Sequence, residues 1–418
     1  MSETFLHKII RVLGNRRMAS VLLFGFSSGL PLGLTGSTLQ AWMTQEKVDL
    51  KTIGIFSLVS LPYTLKFLWS PFMDAYVPPL FGRRRGWLLL TQLLLAAAIA
   101  GMAVTDPASQ PVAMATVAFL VAFFSASQDI VVDAYRTDIL MPEEYGLGSG
   151  TYVMGYRIAM LVSGAVALIL ADQMPWRMVY LLMALTMGVG VLTTLFLAPE
   201  PAVKEIPPHN MREAVVLPLA EFFSRKGSLE ILSFIILYKL DVVVALALTT
   251  AFLLQLGFSN TEIGAVNKGV GLIATIIGTF SGGALMTQLG MKRSLWIFGI
   301  LQGVGNLSFV VLAHLGKSYP WMVGAVATEN LLSGMGNAAY AAFLMSLCNK
   351  RFSATQYALL TSLMALTRIL AGSASGFLAE RLGWELYFLT AISLMVPGLL
   401  LLTRYDRWFQ KDGIQKTT

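Results

Sequence analysis

Two carboxylates, Asp129 and Asp133, stand in the second half of an apolar stretch that runs from Val112 to Leu140. Ionising an acid deep in a bilayer costs roughly 2.5–3.5 kcal/mol even on lenient insertion scales, so such residues face a polar interior or a partner and mark a pathway. At about 100° per residue, one helix face carries Ala115, Ala118, Ala122, Ser125, Asp129, Asp133 and Arg136. Val117, Leu120, Phe124 and Val131 fall opposite. One side of this helix is therefore expected to meet protein or water and the other something apolar. Burial disfavours the charged form of a carboxylate, so the chemistry on offer is proton exchange, with Asp129 the first candidate and Glu329 or Asp241 the second.

The other ionisable residues within apolar windows are Lys66, Arg157, Lys239, Asp241, Lys268, Glu329 and Arg368, with the amides Gln128 and Asn330 beside two of the acids. At about 1.5 Å per residue, Lys66, Asp129, Arg157 and Lys239 lie roughly 10–15 Å from one membrane face, while Lys268 and Glu329 lie nearer the other and suggest a separate cluster. Lys239 and Asp241 are two residues apart, too close to share a helix face, so different partners are expected for them. Asp133 with Arg136, near the membrane boundary, reads as a structural ion pair. His7, His209 and His314 fall in termini or loops, which leaves a histidine relay unsupported. The single cysteine, Cys348, excludes an intrachain disulfide and a cysteine-based metal site. With no histidine cluster, acidic metal motif or phosphate loop in view, no cofactor, metal or enzymatic role is expected.

The elements that must position these groups are transmembrane helices. Of 418 residues, 56% are hydrophobic and 13% charged, with a mean hydropathy of +0.69, whereas soluble domains carry about 25% charged residues. Apolar windows predict twelve spans, near 19–43, 52–73, 86–104, 112–138, 148–170, 177–197, 229–256, 262–286, 294–313, 321–348, 355–380 and 385–403. Alternating barrel-type strand patterns are missing, so the class is an all-α integral membrane protein. The first window is about 25 residues long with no convincing cleavage site and reads as a retained span. The net charge of +7 does not imply nucleic acid, because the basic residues alternate from side to side. With the N-terminus in the cytoplasm, twenty basic residues fall on that side and five on the other, which predicts both termini cytoplasmic.

A polar interruption rich in proline divides the spans six and six: a bundle over 1–197, a cytoplasmic linker over 198–228, and a second bundle with a short tail over 229–418. Within the linker, Met211 to Arg225 is weakly amphipathic around Pro218, suited equally to an interfacial helix or a tether. An internal echo joins the halves. Asp74 followed by Gly82-Arg83-Arg84-Arg85 after span 2, and Gly283 to Gly290 followed by Met291-Lys292-Arg293 after span 8, each keep part of one pattern. That pattern resembles the loop motif of the major facilitator superfamily. In that fold it implies a cytoplasmic latch of Asp74, Arg83, Arg84, Lys292 and Arg293 that holds helix ends together in one conformation of a rocking transporter. The resemblance also implies that spans 1, 4, 7 and 10 line a central cavity and that 3, 6, 9 and 12 face lipid, and these last four carry no ionisable residue in their interiors.

Ser125-Ala-Ser-Gln128-Asp129-Ile-Val-Val-Asp133-Ala-Tyr-Arg-Thr-Asp138 resembles the span-4 signature of the AmpG-type muropeptide permeases of that superfamily. Similar matches include Gly25-Phe-Ser-Ser-Gly29-Leu-Pro31, Lys66-Phe-Leu-Trp69-Ser-Pro71, Phe81-Gly-Arg-Arg-Arg-Gly-Trp87 and Phe352-Ser-Ala-Thr-Gln356. Two departures stand out: the family pattern Lys-Leu-Gly-Asp in span 7 is Lys239-Leu240-Asp241 here, and some relatives carry spans beyond the twelfth. The resemblance implies import of anhydro-muropeptides into the cytoplasm across a bacterial inner membrane, for cell-wall recycling and β-lactamase induction. The implied mechanism is proton symport by alternating access, in a chain able to work as a monomer among membrane lipids. Gln128, Asp129, Arg157, Lys239, Asp241, Glu329, Asn330 and Arg368 would line the cavity and meet the hydroxyls, amides, carboxylates and amine of such a substrate. A drug efflux pump and an acetyl-coenzyme A transporter of the same fold are the alternatives, and a membrane enzyme acting on lipid-linked saccharides is the alternative from another class.

Overall fold

Inside hydrocarbon a backbone must satisfy its own N–H and C=O groups, and the apolar windows accordingly fold as helices. The computed structural model describes residues 14–49, 52, 56–201, 207–208 and 210–409, without the side chains at 57, 260, 365–366, 368–370 and 372–373. Unbroken or nearly unbroken spans are Arg16–Gln45, Gly82–Ala103, Pro111–Ile139, Pro142–Ala171, Trp176–Leu197, Ser228–Gln255 and Tyr319–Leu347, numbered 1, 3, 4, 5, 6, 7 and 10. Span 2, over 56–75, is a chain of short helical pieces interrupted near Lys66 and Trp69.

The run Thr261–Leu315 has 55 residues, about 80 Å of helix and far more than a hydrocarbon core of about 30 Å can hold. Gly290, at φ 73° and ψ 165°, breaks it into spans 8 and 9. Gly383, at φ 71° and ψ 171°, does the same within Ser353–Ser393, giving span 11 over 353–382 and span 12 beyond it. These backbone angles are open to glycine and costly for other residues. Twelve helical spans result among the described residues.

Two compact units emerge. The first holds the described residues of Met1–Val215 together with Met345–Ser362, and the second those of Val216–Leu344 with Leu363–Thr418. In the first unit, spans 1 and 5 lie backbone to backbone: a Cβ at Gly25 would sit 2.2 Å from the Tyr152 carbonyl oxygen, one at Gly29 2.3 Å from that of Tyr156, and one at Gly155 2.0 Å from that of Leu22. The glycines of span 1 thus serve close packing, as small residues do between membrane helices. Span 4 is amphipathic only in its first half, where Leu120 is exposed; from Ser125 to Leu140 almost every residue is buried, Val131 included. In the second unit, spans 8 and 10 approach as closely at Gly278, whose Cβ would fall 2.0 Å from the Leu331 carbonyl oxygen. The segment around Pro218 is helical over Met211–Ser224.

Candidate functional site

In the first unit, Asp133 is the centre of a buried charge network. Its carboxylate meets the Arg136 guanidinium at 2.8 Å and the Lys66 ammonium at 3.4 Å. Lys66 can reach it because span 2 is interrupted there, and broken spans commonly mark transporter sites. Arg136 lies 3.9 Å from the Tyr152 ring centroid and donates to the Tyr357 hydroxyl at 3.3 Å. One turn away, Asp129 interacts electrostatically with Lys66, Asp133 and Arg136 and with the phenols of Tyr63, Tyr152 and Tyr156. Its Oδ1 is buried and has no hydrogen-bond partner. Gln128, fully buried, accepts from Ser27 at 3.2 Å and donates to Ser28 at 3.5 Å, which ties span 4 to span 1. Arg157 is half-buried and its contact is with the Met160 sulfur at 3.9 Å, so it does not join the carboxylates.

At the end of this unit where span 2 gives way to span 3, a second network forms. Arg84 donates through Nε to Asp138 at 2.7 Å and through Nη2 to the Ser353 hydroxyl at 2.7 Å, and it pairs with Asp74 at 3.0 Å. Asp74, fully buried, accepts from both the backbone N–H and the hydroxyl of Thr355, each at 2.8 Å. It thereby caps the first turn of span 11 and meets the positive end of that helix. Arg83 donates to the carbonyls of Arg351 and Lys350 at 3.0 and 3.3 Å. Lys292 pairs with Asp406 at 2.5 Å within the second unit, and Arg293 is exposed.

The second unit holds its own cluster. Span 7 is interrupted at Tyr238 and Lys239, where the backbone leaves helical geometry at φ −109° and ψ 0°. That break removes the objection from helical spacing, and Lys239 interacts electrostatically with both Asp241 and Glu329. All three side chains are buried, at 5%, 1% and 3% exposure. Glu329 therefore joins Lys239 and Asp241, where sequence placed it with Lys268; the latter is exposed. The ammonium donates to Gln302 at 2.5 Å and lies beside the stacked rings of Tyr238 and Tyr340, 6.0 and 5.9 Å from their centroids. Asn330 accepts from Thr275 at 2.9 Å and braces span 10 against span 8. The Arg368 side chain lies outside the described residues.

The description of the Major Facilitator Superfamily matches residues 21–372. The chain belongs to the major facilitator superfamily. Within this family of transporters it falls with the AmpG-type permeases. It is 51% identical over 395 residues to the anhydromuropeptide permease of Escherichia coli K12, covering 94% of this chain and 80% of that one. It is 33% identical over 404 residues to a Rickettsia conorii protein that carries the name transporter AmpG 4, covering 94% and 98%. Among solved structures, a bacterial homologue of the iron transporter ferroportin in an outward-facing state superposes with a TM-score of 0.70 at 16% identity, covering 93% and 99%. The proton:xylose symporter XylE superposes with a TM-score of 0.66 at 12% identity, covering 95% of each chain. At these identities the two structures speak for the superfamily fold alone.

Several residues of these networks escape a reading built on charges within spans. Gln302 is uncharged and lies in span 9, which the superfamily resemblance assigned to the lipid. Asp138 appears in the sequence only as the last letter of the span-4 signature. Ser353 and Thr355 carry no charge, yet both bond carboxylates. Their signal is hydroxyl and amide side chains at the ends and middles of apolar windows, a signal too common to single them out. Among the described residues, no group of three or more His, Cys, Asp or Glu side chains is arranged to hold a metal ion.

Proposed function

We propose that this transporter imports anhydro-muropeptides, N-acetylglucosamine linked to 1,6-anhydro-N-acetylmuramic acid with or without its peptide, from periplasm to cytoplasm by proton-coupled alternating access. The observation that carries the substrate is the 51% identity to the Escherichia coli anhydromuropeptide permease, spread over 395 residues rather than concentrated in one motif. The identity to the Escherichia coli permease supports a bacterial inner-membrane location, and the distribution of basic residues supports both termini in the cytoplasm. The Asp74, Arg83, Arg84 network then lies at the cytoplasmic end and acts as a latch that closes that side. A polar substrate rich in amides and carboxylates suits the hydrogen-bonding groups of the Lys66, Gln128, Asp129 and Asp133 region better than an apolar drug does.

In the coupling step, Asp129 takes a proton when its surroundings open outward and releases it when they open inward. Its unpartnered oxygen and its place beside the Lys66, Asp133 and Arg136 charges support that role. Purified protein in vesicles, given labelled disaccharide and an imposed proton gradient, tests both parts. Accumulation that collapses with an uncoupler is expected. Accumulation that ignores the uncoupler would reject symport, and no uptake of the disaccharide at all would reject the substrate.

A further inference from the structure

The cluster of Lys239, Asp241 and Glu329 has an unusual distribution of bonds. Its one ammonium donates to a neutral acceptor, Gln302 Oε1 at 2.5 Å, while both oxygens of Asp241 and Oε1 of Glu329 are buried without a side-chain hydrogen-bond partner, Asp241 facing the backbone N–H groups of its own residue and Val242. Gln302 is held in turn, since its Nε2 donates to the Phe298 carbonyl at 3.1 Å. The amide fits only because span 10 offers a glycine opposite it. A Cβ at Gly336 would lie 2.1 Å from Gln302 Nε2 and 2.2 Å from its Cδ. Among the described residues, the groups around the ammonium are two acids, one amide and the rings of Tyr238 and Tyr340.

With both acids ionised while the ammonium is turned to Gln302, two buried carboxylates would stand without a directly bonded cation, an arrangement that burial strongly disfavours. One proton on either acid relieves it. We propose that Gln302 is a positioning residue that parks Lys239 away from Asp241 and Glu329, so that the acid pair retains one exchangeable proton, and that release of Lys239 from Gln302 expels that proton. In the step, the acid O–H bond breaks and the proton leaves to water. The Lys239 ammonium keeps its own protons, gives up its bond to Gln302 Oε1 and forms one to the freed carboxylate. No electrons are transferred and charge is conserved. The inference rests on the proton-coupled reading above and adds a second proton site to it, built on spans 7, 9 and 10.

The test uses two full-length variants, Gln302→Met, which keeps side-chain length without an acceptor, and Gly336→Ala, which crowds the amide. Infrared difference spectra on changing pH, which need no substrate, read the protonated carboxylic acid directly. The wild type is expected to show a band that disappears in both Asp241→Asn and Glu329→Gln, and Gln302→Met and Gly336→Ala are expected to weaken it, because the freed ammonium replaces the proton. Gradient-driven accumulation in vesicles should fall about tenfold or more in both positioning variants, as loss of a hydrogen bond to a charged group implies. Exchange of labelled for unlabelled disaccharide, which needs no net proton movement, should change less than about threefold. A band unaltered by Gln302→Met, or exchange and accumulation falling together, overturns the parking role. A wild type with the expected spectra and no uptake instead overturns the assigned substrate and leaves the proton site standing.

Discussion

Asp74→Asn is the sharpest probe of the latch. The wild-type carboxylate accepts two bonds from Thr355 at 2.8 Å each and pairs with Arg84 at 3.0 Å, all without exposure to water. A hydrogen bond to a charged group contributes about 1.5–3 kcal/mol and one between neutral groups about 0.5–1.5. Neutralising Asp74 should therefore weaken each Thr355 bond by about 1 kcal/mol, or about 2 kcal/mol together, which shifts the ratio of open to closed latch about thirtyfold. The chain carries its own reporter. Cys348, the single cysteine, is half-buried in the turn that leads to Ser353. Thiol labelling of purified Asp74→Asn should run about thirty times faster than in the wild type if opening governs access. Lys292→Gln removes only an exposed pair with Asp406 and should leave the rate unchanged. Labelling of Asp74→Asn within twofold of the wild type, at an unchanged melting temperature, would refute the latch.

Other outcomes follow from the same geometry. Gly29→Ala places a Cβ 2.3 Å from the Tyr156 carbonyl and should lower stability by about 1–3 kcal/mol or more; Gly164→Ala, with nothing within 4 Å, is the control in thermal unfolding of the detergent-purified protein. Asp133→Asn strips Lys66 and Arg136 of their shared carboxylate and should cost about 3–5 kcal/mol, seen as a lower melting temperature; an unchanged one would mean that Asp133 is not structural. Asp129→Asn should keep substrate exchange yet abolish gradient-driven accumulation. Full accumulation in that variant would exclude Asp129 as the coupling acid.

Much of the fold is legible without coordinates because hydrocarbon demands long apolar helices and punishes charge. Windows of hydropathy locate the spans, and Gly290 and Gly383 mark turns that helical continuity alone would hide. The same penalty makes Asp129, Lys239 and Glu329 visible as functional candidates. Their pairing is not visible, since spacing along an ideal helix separates Lys239 from Asp241 and only the break at Tyr238 and Lys239 undoes that separation. Gln302 is hidden for a different reason: an amide in an apolar window carries little energetic signal of its own until a glycine on another span makes room for it.

Sequence by itself determined the class, the number of spans and the family, because each depends on local hydropathy, on the balance of charge across loops, or on identity at aligned positions. Tertiary structure decided which charges meet. Asp133 gathers Lys66 and Arg136, Asp74 caps the first turn of span 11, and Lys239 turns to Gln302 rather than to either acid. Those choices depend on helix breaks and close backbone approaches between segments far apart in the chain, whose consequences appear only when distant spans share the same few ångströms.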